Sequence, residues 1–383
     1  MAKLPIIDCD SHVEECEATF AHLDPRYFDR RPLHADLHGI PKNSPQDSYW
    51  LIDGRYFPRP ASYGGAMFFG TPTSSTLARE KPFSIPSQTL ERVETRLADM
   101  DRVGIDVSVL FPTLFLTHVT DDPRYEAALM RSYNTWLAER CSHAPTRLKW
   151  AALLPLRSPE DAVAEARRAK KLGAVGVYSM GTAGDRLLDH EAFDPVWEEL
   201  ERQDLPLCVH VGWSHPGLTS SCHDSYAAFG LSFTLPVFMG FFAITGGGVL
   251  DRHPGLKVAF LEAGGDWLPY MLDRLDRYHW VVYHKFGRPV SKRPPSEYLR
   301  DAQIYLSVEG DEPGVPRTLE VLGEDRVMAS ADMPHAEARD NHLEEIQERA
   351  DLTPAQKEKI LTYNPARFYG LPIEVPALTP QPR

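Results

Sequence analysis

The chain has 383 residues, with 41 Lys+Arg against 54 Asp+Glu, a formal net charge of −13. Hydrophobic residues make up 43% and charged residues 25%, the proportions of a globular protein, which excludes a disordered or fibrous chain. No basic run interrupts the acidity, so nucleic acid is excluded as a partner.

In chain order, short β-branched runs alternate with amphipathic helical stretches, the pattern of a parallel sheet covered by helices. Eight strands are expected: Leu4–Cys9, Val107–Pro112, Lys149–Leu154, Val175–Tyr178, Leu207–Val211, Lys257–Glu262, Gln303–Val308 and Arg326–Ala331. The helical patterns between them include Ser87–Val103, Pro123–Ala144, Pro159–Leu172, Phe193–Gln203 and Thr353–Leu361. Ser158-Pro159 and Thr353-Pro354 read as helix starts. Eight such units fit one α/β fold, a (β/α)8 TIM barrel, whose length commonly runs ~200 to 400 residues. No G-x-G-x-x-G follows the first strand, which counts against a doubly wound open sheet.

Two stretches interrupt the alternation. Residues 17–86 are rich in proline, glycine and aromatics and read as an insertion capping one end of the barrel, with a hairpin over Trp50–Tyr56 turning at Asp53-Gly54. Residues 213–250, with Phe233, Phe238, Phe241, Phe242 and Gly246–Gly248, read as a buried helix with a glycine C-cap, and as an apolar channel wall or dimer contact. The domain is expected to span 1–371, followed by a surface tail over 372–383. The longest apolar run, near Phe233–Ile244, is short of the ~20 residues a membrane span needs, and the opening MAKLPIIDCDSH turns acidic without a signal h-region. Cys9, Cys16, Cys141, Cys208 and Cys222 form no C-x-x-C pair, which suggests a reducing cytoplasm.

The chemistry stands at the strand C-termini. Asp10 and His12, two apart on an extended segment, share a face. His210 ends the fifth strand inside an apolar run, Glu262 ends the sixth, and Asp332, followed by His335, ends the eighth. Each alone reads as a surface pair or a satisfied core residue. Together, four apolar strands lift metal-type ligands to one rim, where carboxylates buried side by side need a cation. Hard oxygen ligands with imidazoles suit iron or manganese at least as well as zinc.

These residues, with Asp194-Pro195-Val196-Trp197, Leu205-Pro206 before His210 and Tyr363-Asn364-Pro365-Ala366-Arg367-Phe368, resemble amidohydrolase family 2, the branch that contains aminocarboxymuconate semialdehyde decarboxylase. The resemblance runs from Ile6 to about Tyr369 and makes Asp10, His12, His210 and Asp332 metal ligands. Two departures stand out. The fourth strand, Val175-Gly176-Val177-Tyr178-Ser179, lacks the lysine that bridges two metals in binuclear hydrolases; Lys170 and Lys171 precede it. The histidine of the decarboxylases on the sixth strand is replaced by Glu262. The pattern D-x-H-V-x-E, H-V-G, L-E-x-G-x-x-W-L-P and D-x-P-H is similar to a carboxylate-rich subgroup that includes nonheme diiron monooxygenases, one of them in platensimycin and platencin diterpenoid biosynthesis.

That resemblance implies an O2-dependent nonheme diiron monooxygenase of secondary metabolism, hydroxylating an unactivated C–H bond of a small apolar, CoA-linked substrate. Asp10, His12 and Asp332 would hold one iron and His210 the other, with Glu262 bridging. Glu15 and His223 would complete the shell, His215 competing with His223, and His335 would orient Asp332 or relay a proton. Electrons would come from an external donor, since no flavin or nicotinamide fingerprint is present. Arg55, Arg59, Arg79 and Lys81 are the rim cations available to a CoA thioester, and the aromatic stretch suggests a homodimer. The alternative is a mononuclear hydrolase or decarboxylase using one Zn or Mn, with Glu262 as general base; a third possibility is a binding protein with a structural metal whose ligands are saturated.

Overall fold

Eight parallel strands follow one another around a barrel in chain order: β1 (Ile7–Val13), β2 (Val107–Pro112), β3 (Leu148–Leu153), β4 (Gly176–Met180), β5 (Leu207–His210), β6 (Val258–Leu261), β7 (Ile304–Val308) and β8 (Val327–Ala329). The computed structural model describes residues 4–36, 48–57, 82–287, 291–335 and 342–378. The ring is completed between β1 and the segment after β8: His12 N–H donates to Met333 O at 2.6 Å and Asp332 N–H to Asp10 O at 3.2 Å. This is the expected (β/α)8 barrel. Its strands read as continuous apolar runs because strand interiors face the barrel on one side and helices on the other; every residue of β1, β2 and β4–β8 is buried.

The covering helices include α1 (Val93–Val103), α2 (Pro123–Ser142), α3 (Pro159–Lys171), α4 (Asp194–Gln203), α5 (Leu235–Gly246), α6 (Leu268–Phe286), α7 (Val315–Leu322) and α8 (Pro354–Glu358). The start at Thr353 is a capping box with Gln356, satisfying two orphan N–H groups reciprocally. The expected helix Ser87–Val103 is broken: Leu90 adopts φ 51° and Arg92 is extended, so a short helix Ile85–Gln88 ends before α1 begins. Periodicity carries no sign of one left-handed leucine.

Within the 17–86 insertion, Ser48–Ile52 and Arg55–Phe57 form the expected antiparallel hairpin. Asp53 and Gly54 both have positive φ, 51° and 77°, as a two-residue turn matched to strand twist requires. Trp50 is buried and packs edge-on against Phe20, which anchors the hairpin to the core. Arg55 is paired with Asp121. Arg59, Arg79 and Lys81 lie outside the described residues.

The aromatic stretch contains the expected helix α5 with Gly247 at its C-cap. The helical run Ser225–Arg252 is long and apolar enough for a membrane span by composition. Packing accounts for part of that apolarity: Val237, Phe241 and Ile244 are fully buried, α5 contacts β4, β5 and β6, and 44% of the apolar window is buried. The large exposed aromatics lie mostly elsewhere than the Phe233–Phe242 stretch expected to form a contact: Tyr270, Tyr278, Trp280, Tyr283 and Phe286 on α6 are each more than half exposed.

Candidate metal centre

Asp10 and His12 lie two apart on β1, both fully buried, and both belong to the cluster at the barrel mouth. His12 Nδ1 lies 2.7 Å from Pro112 O, and His210 Nδ1 lies 2.9 Å from Val211 O. A carbonyl only accepts, so each ring carries its proton on Nδ1 and turns the Nε2 lone pair inward. Glu262 stands immediately after β6 and Asp332 just beyond β8, both in left-handed backbone, φ 58° and 48°.

Five side chains converge. His210 Nε2 is 3.2 Å from Asp10 Oδ2 and 3.1 Å from Glu262 Oε2. His12 Nε2 is 3.4 Å from Asp332 Oδ1, 3.7 Å from Asp10 Oδ1 and 3.8 Å from Glu262 Oε2. Around an octahedral ion with ligands at about 2.1 Å, adjacent donors are about 3.0 Å apart, close to this spacing. Both Asp10 oxygens, His210 Nε2 and Glu262 Oε2 are sealed from solvent, and outside the cluster no described residue gives them a hydrogen bond. Burial alone would strip His210 of a proton, yet Asp10 and Glu262 push it well above the ordinary imidazole range. A cation relieves the same negative field, so the donor set fits a metal.

The two overlapping groups capable of binding a metal, Asp10–His12–His210–Glu262 and His12–Glu262–Asp332–His335, share His12 and Glu262. One imidazole nitrogen serves one ion, and His335 Nδ1 is engaged with Asp332 Oδ1 at 2.8 Å. The donors therefore describe one ion position, and the expected two-iron arrangement with a Glu262 bridge is not supported. Its two additional ligands are absent from the cluster. Glu15 is fully buried, but its carboxylate accepts from Thr113 N–H (3.1 Å) and Leu114 N–H (2.7 Å); burial holds its pKa up, at about 8. His223 is exposed in the loop after β5, and His215 caps the helix Pro216–Ser221 through Nδ1. His335 lies between Asp332, Nδ1 to Oδ1 2.8 Å, and the Thr113 hydroxyl, Nε2 to Oγ1 3.0 Å.

Three residues escaped the sequence reading. Asp8 Oδ1 accepts from Ala331 N–H (2.9 Å) and Asp10 N–H (3.3 Å), tying β1 to the Asp332 segment; burial lifts its carboxyl to about 7. Arg96 on α1 is fully buried and donates to Ser11 Oγ (2.9 Å) and Met333 O (3.2 Å), and nothing local distinguishes it from a solvated helix arginine. Thr113 follows β2 directly, where strand-end residues point to the mouth.

A model of the amidohydrolase family 2 matches residues 84–371, about three-quarters of the chain. The chain belongs to the amidohydrolase family. The chain is 27% identical over 303 residues to the gamma-resorcylate decarboxylase of Polaromonas, covering 74% of this chain and 89% of that one. The structure of a dihydroxybenzoic acid decarboxylase from Polaromonas, with bound manganese and 2-nitroresorcinol, is 25% identical, TM-score 0.62, over 73% of this chain and 86% of that one. A 5-carboxyvanillate decarboxylase from Novosphingobium aromaticivorans shares the fold over 96% and 97% of the two chains, TM-score 0.74 at 22% identity. These relatives overturn the oxygenase expectation. The curated relatives named here are decarboxylases, and nothing among them points to diiron monooxygenase chemistry, hydroxylation or a role in antibiotic biosynthesis. Glu262 in place of a histidine is a single position, whereas the likeness to the decarboxylases extends over about three-quarters of the chain.

Proposed function

We propose that the protein is a mononuclear, manganese-dependent decarboxylase of small aromatic carboxylic acids, of the hydroxybenzoate type. The observation that carries this is the convergence of Asp10, His12, His210, Glu262 and Asp332 on one ion position in a chain whose relatives are decarboxylases. Bound there, Mn2+ would act as a Lewis acid on a substrate carboxylate or phenolate oxygen.

The reaction balances without oxidant: the C–C bond to the carboxylate breaks, CO2 leaves, and the ring carbon takes one proton. His335 is built to manage that proton. The Thr113 hydroxyl donates to Val13 O at 2.8 Å, so His335 Nε2–H donates to Thr113 Oγ1, and Nδ1 lies against Asp332 Oδ1. Asp332 thus links the proton on His335 to the reacting position. Glu262, 16% exposed while its neighbours are sealed, is the cluster member nearest the solvent side where substrate arrives. Its carboxylate favours a second reading, hydrolysis, in which Glu262 takes a proton from water.

The test is incubation of Mn2+-loaded protein with 2,6-dihydroxybenzoate, 5-carboxyvanillate and 6-methylsalicylate, measuring CO2 and the decarboxylated arene. Release of one CO2 per substrate supports the proposal. No release across that set, with turnover of an ester or amide panel instead, replaces it with the hydrolase.

A further inference from the structure

The turn after β2 touches the metal cluster in two places. Pro112 O receives His12 Nδ1–H at 2.7 Å, and the next residue, Thr113, receives His335 Nε2–H on Oγ1 at 3.0 Å. These contacts set two ligands: His12 directly, and Asp332 through His335 Nδ1 at 2.8 Å. The His12 and His335 rings also pack together, centroids 4.0 Å apart and tilted by 32°. What holds the turn is Glu15. Three residues beyond His12 on the same chain segment, it spends one carboxylate oxygen on Thr113 N–H and the other on Leu114 N–H. A carboxylate that accepts from two successive backbone N–H groups fixes their peptide planes, and with them the Pro112 carbonyl and the Thr113 side chain.

We propose that Glu15 is a positioning residue of the metal centre: by clamping the turn at Thr113–Leu114 it aims His12 Nε2 and the Asp332 carboxylate at the ion. Its buried carboxylate is a loop anchor reaching the metal through Thr113 and His335, and not a ligand. The inference rests on the metal-cluster reading and is independent of which substrate is used.

The experiment measures Mn2+ affinity of the purified full-length chain by the EPR signal of free Mn2+, with thermal unfolding in parallel. Glu15→Gln, whose amide puts an N–H where an acceptor is needed, and Thr113→Val, which removes the hydroxyl at nearly constant volume, should each weaken Mn2+ binding about tenfold or more, the usual cost of losing an outer partner of a ligand. Thr113→Ser should restore it. The double variant should bind no worse than the weaker single variant, because both act through one turn. Glu15→Gln lowering the melting temperature with Mn2+ affinity unchanged overturns the proposal. So does loss of Mn2+ in Glu15→Gln alone with Thr113→Val unaffected, which would make Glu15 a direct ligand. If Glu15→Gln fails to fold, the Thr113→Val and Thr113→Ser pair decides: equal affinity in both overturns it. Wild-type protein that binds no Mn2+ removes the cluster reading and this proposal together. Wild-type protein that binds Mn2+ but releases no CO2 defeats only the decarboxylase assignment.

Discussion

Glu262 and Asp332 stand two strands apart on the barrel rim, after β6 and β8, and share a left-handed backbone, φ 58° and 48°. Such a conformation costs a non-glycine residue about 1–3 kcal/mol, and its presence at two cluster carboxylates marks strain held for the sake of the site. Replacing Glu262 with Gly relieves the strain and removes the donor. The metal-free Glu262→Gly protein should melt no lower than wild type, while Mn2+ binding falls more than about 100-fold, beyond the loss typical of an outer partner. Retained Mn2+ affinity, read by EPR, would remove Glu262 from the ligand set.

Decarboxylation consumes a proton and no electrons. Turnover should therefore be the same under nitrogen and in air, and should need no reductant. Chelation should abolish it and Mn2+ should restore it. Product formed under ¹⁸O2 should carry no label. A rate that falls on removing oxygen would mean that the withdrawn oxidative chemistry has to be reconsidered.

The barrel was legible because its strands are apolar on both faces and bounded by turn residues; β2 matches its expected range, Val107–Pro112, and most other boundaries shift by one to three residues. Asp10, His12, His210, Glu262 and Asp332 were legible because they end apolar strands, where a polar side chain has few other reasons to stand. Glu15 and His223 were misread for opposite reasons. Sequence distance from His12 gave Glu15 a plausible reach, but two backbone N–H groups nearer at hand captured it. His223 follows a strand end by a loop whose path no periodicity encodes. Arg96 and Thr113 act through Met333 and His335, partners more than 200 positions away in the chain.

Glu126 offers a pH test away from the metal. It is buried on α2 and works against its burial: His118 Nδ1 at 3.0 Å and Arg157 at 2.7 Å hold its carboxyl below the usual range. A folded-state pKa below the unfolded value of about 4.3 means that the unfolded chain binds the proton more readily, so stability rises with pH through that window. The contribution is fully present above about pH 4.3 and is lost as pH falls below it. Glu126→Gln should cost about 2–4 kcal/mol at pH 7, since it leaves the Arg157 cation facing a neutral amide, and the difference from wild type should shrink under acid. Urea unfolding at pH 7 and pH 4 measures both; a difference independent of pH would show that packing, not the ion pairs, is responsible.

Gly181 fixes where α5 crosses the barrel. The residue follows β4 directly, and a Cβ built on it would lie 1.7 Å from Pro236 O and 2.1 Å from Pro236 C. These are backbone atoms in the first turn of α5, with no flexible side-chain end to move aside. Gly240, one turn further along, already brings the same helix close, with only 3.1 Å between its would-be Cβ and Gly181 Cα. A methyl group at Gly181 must therefore push α5 outward, opening its contact with Val209 on β5, next to His210. Overpacking of this kind costs about 1–3 kcal/mol where side chains can yield, and more where backbone must move. Gly181→Ala should lose at least about 3 kcal/mol in urea unfolding and should also weaken Mn2+ binding, because β5 carries His210. Gly184→Ala, at a position with open space around it but φ 67°, should cost only about 1 kcal/mol from backbone strain. Equal losses in the two variants would show that close approach of α5 is not what requires glycine at 181.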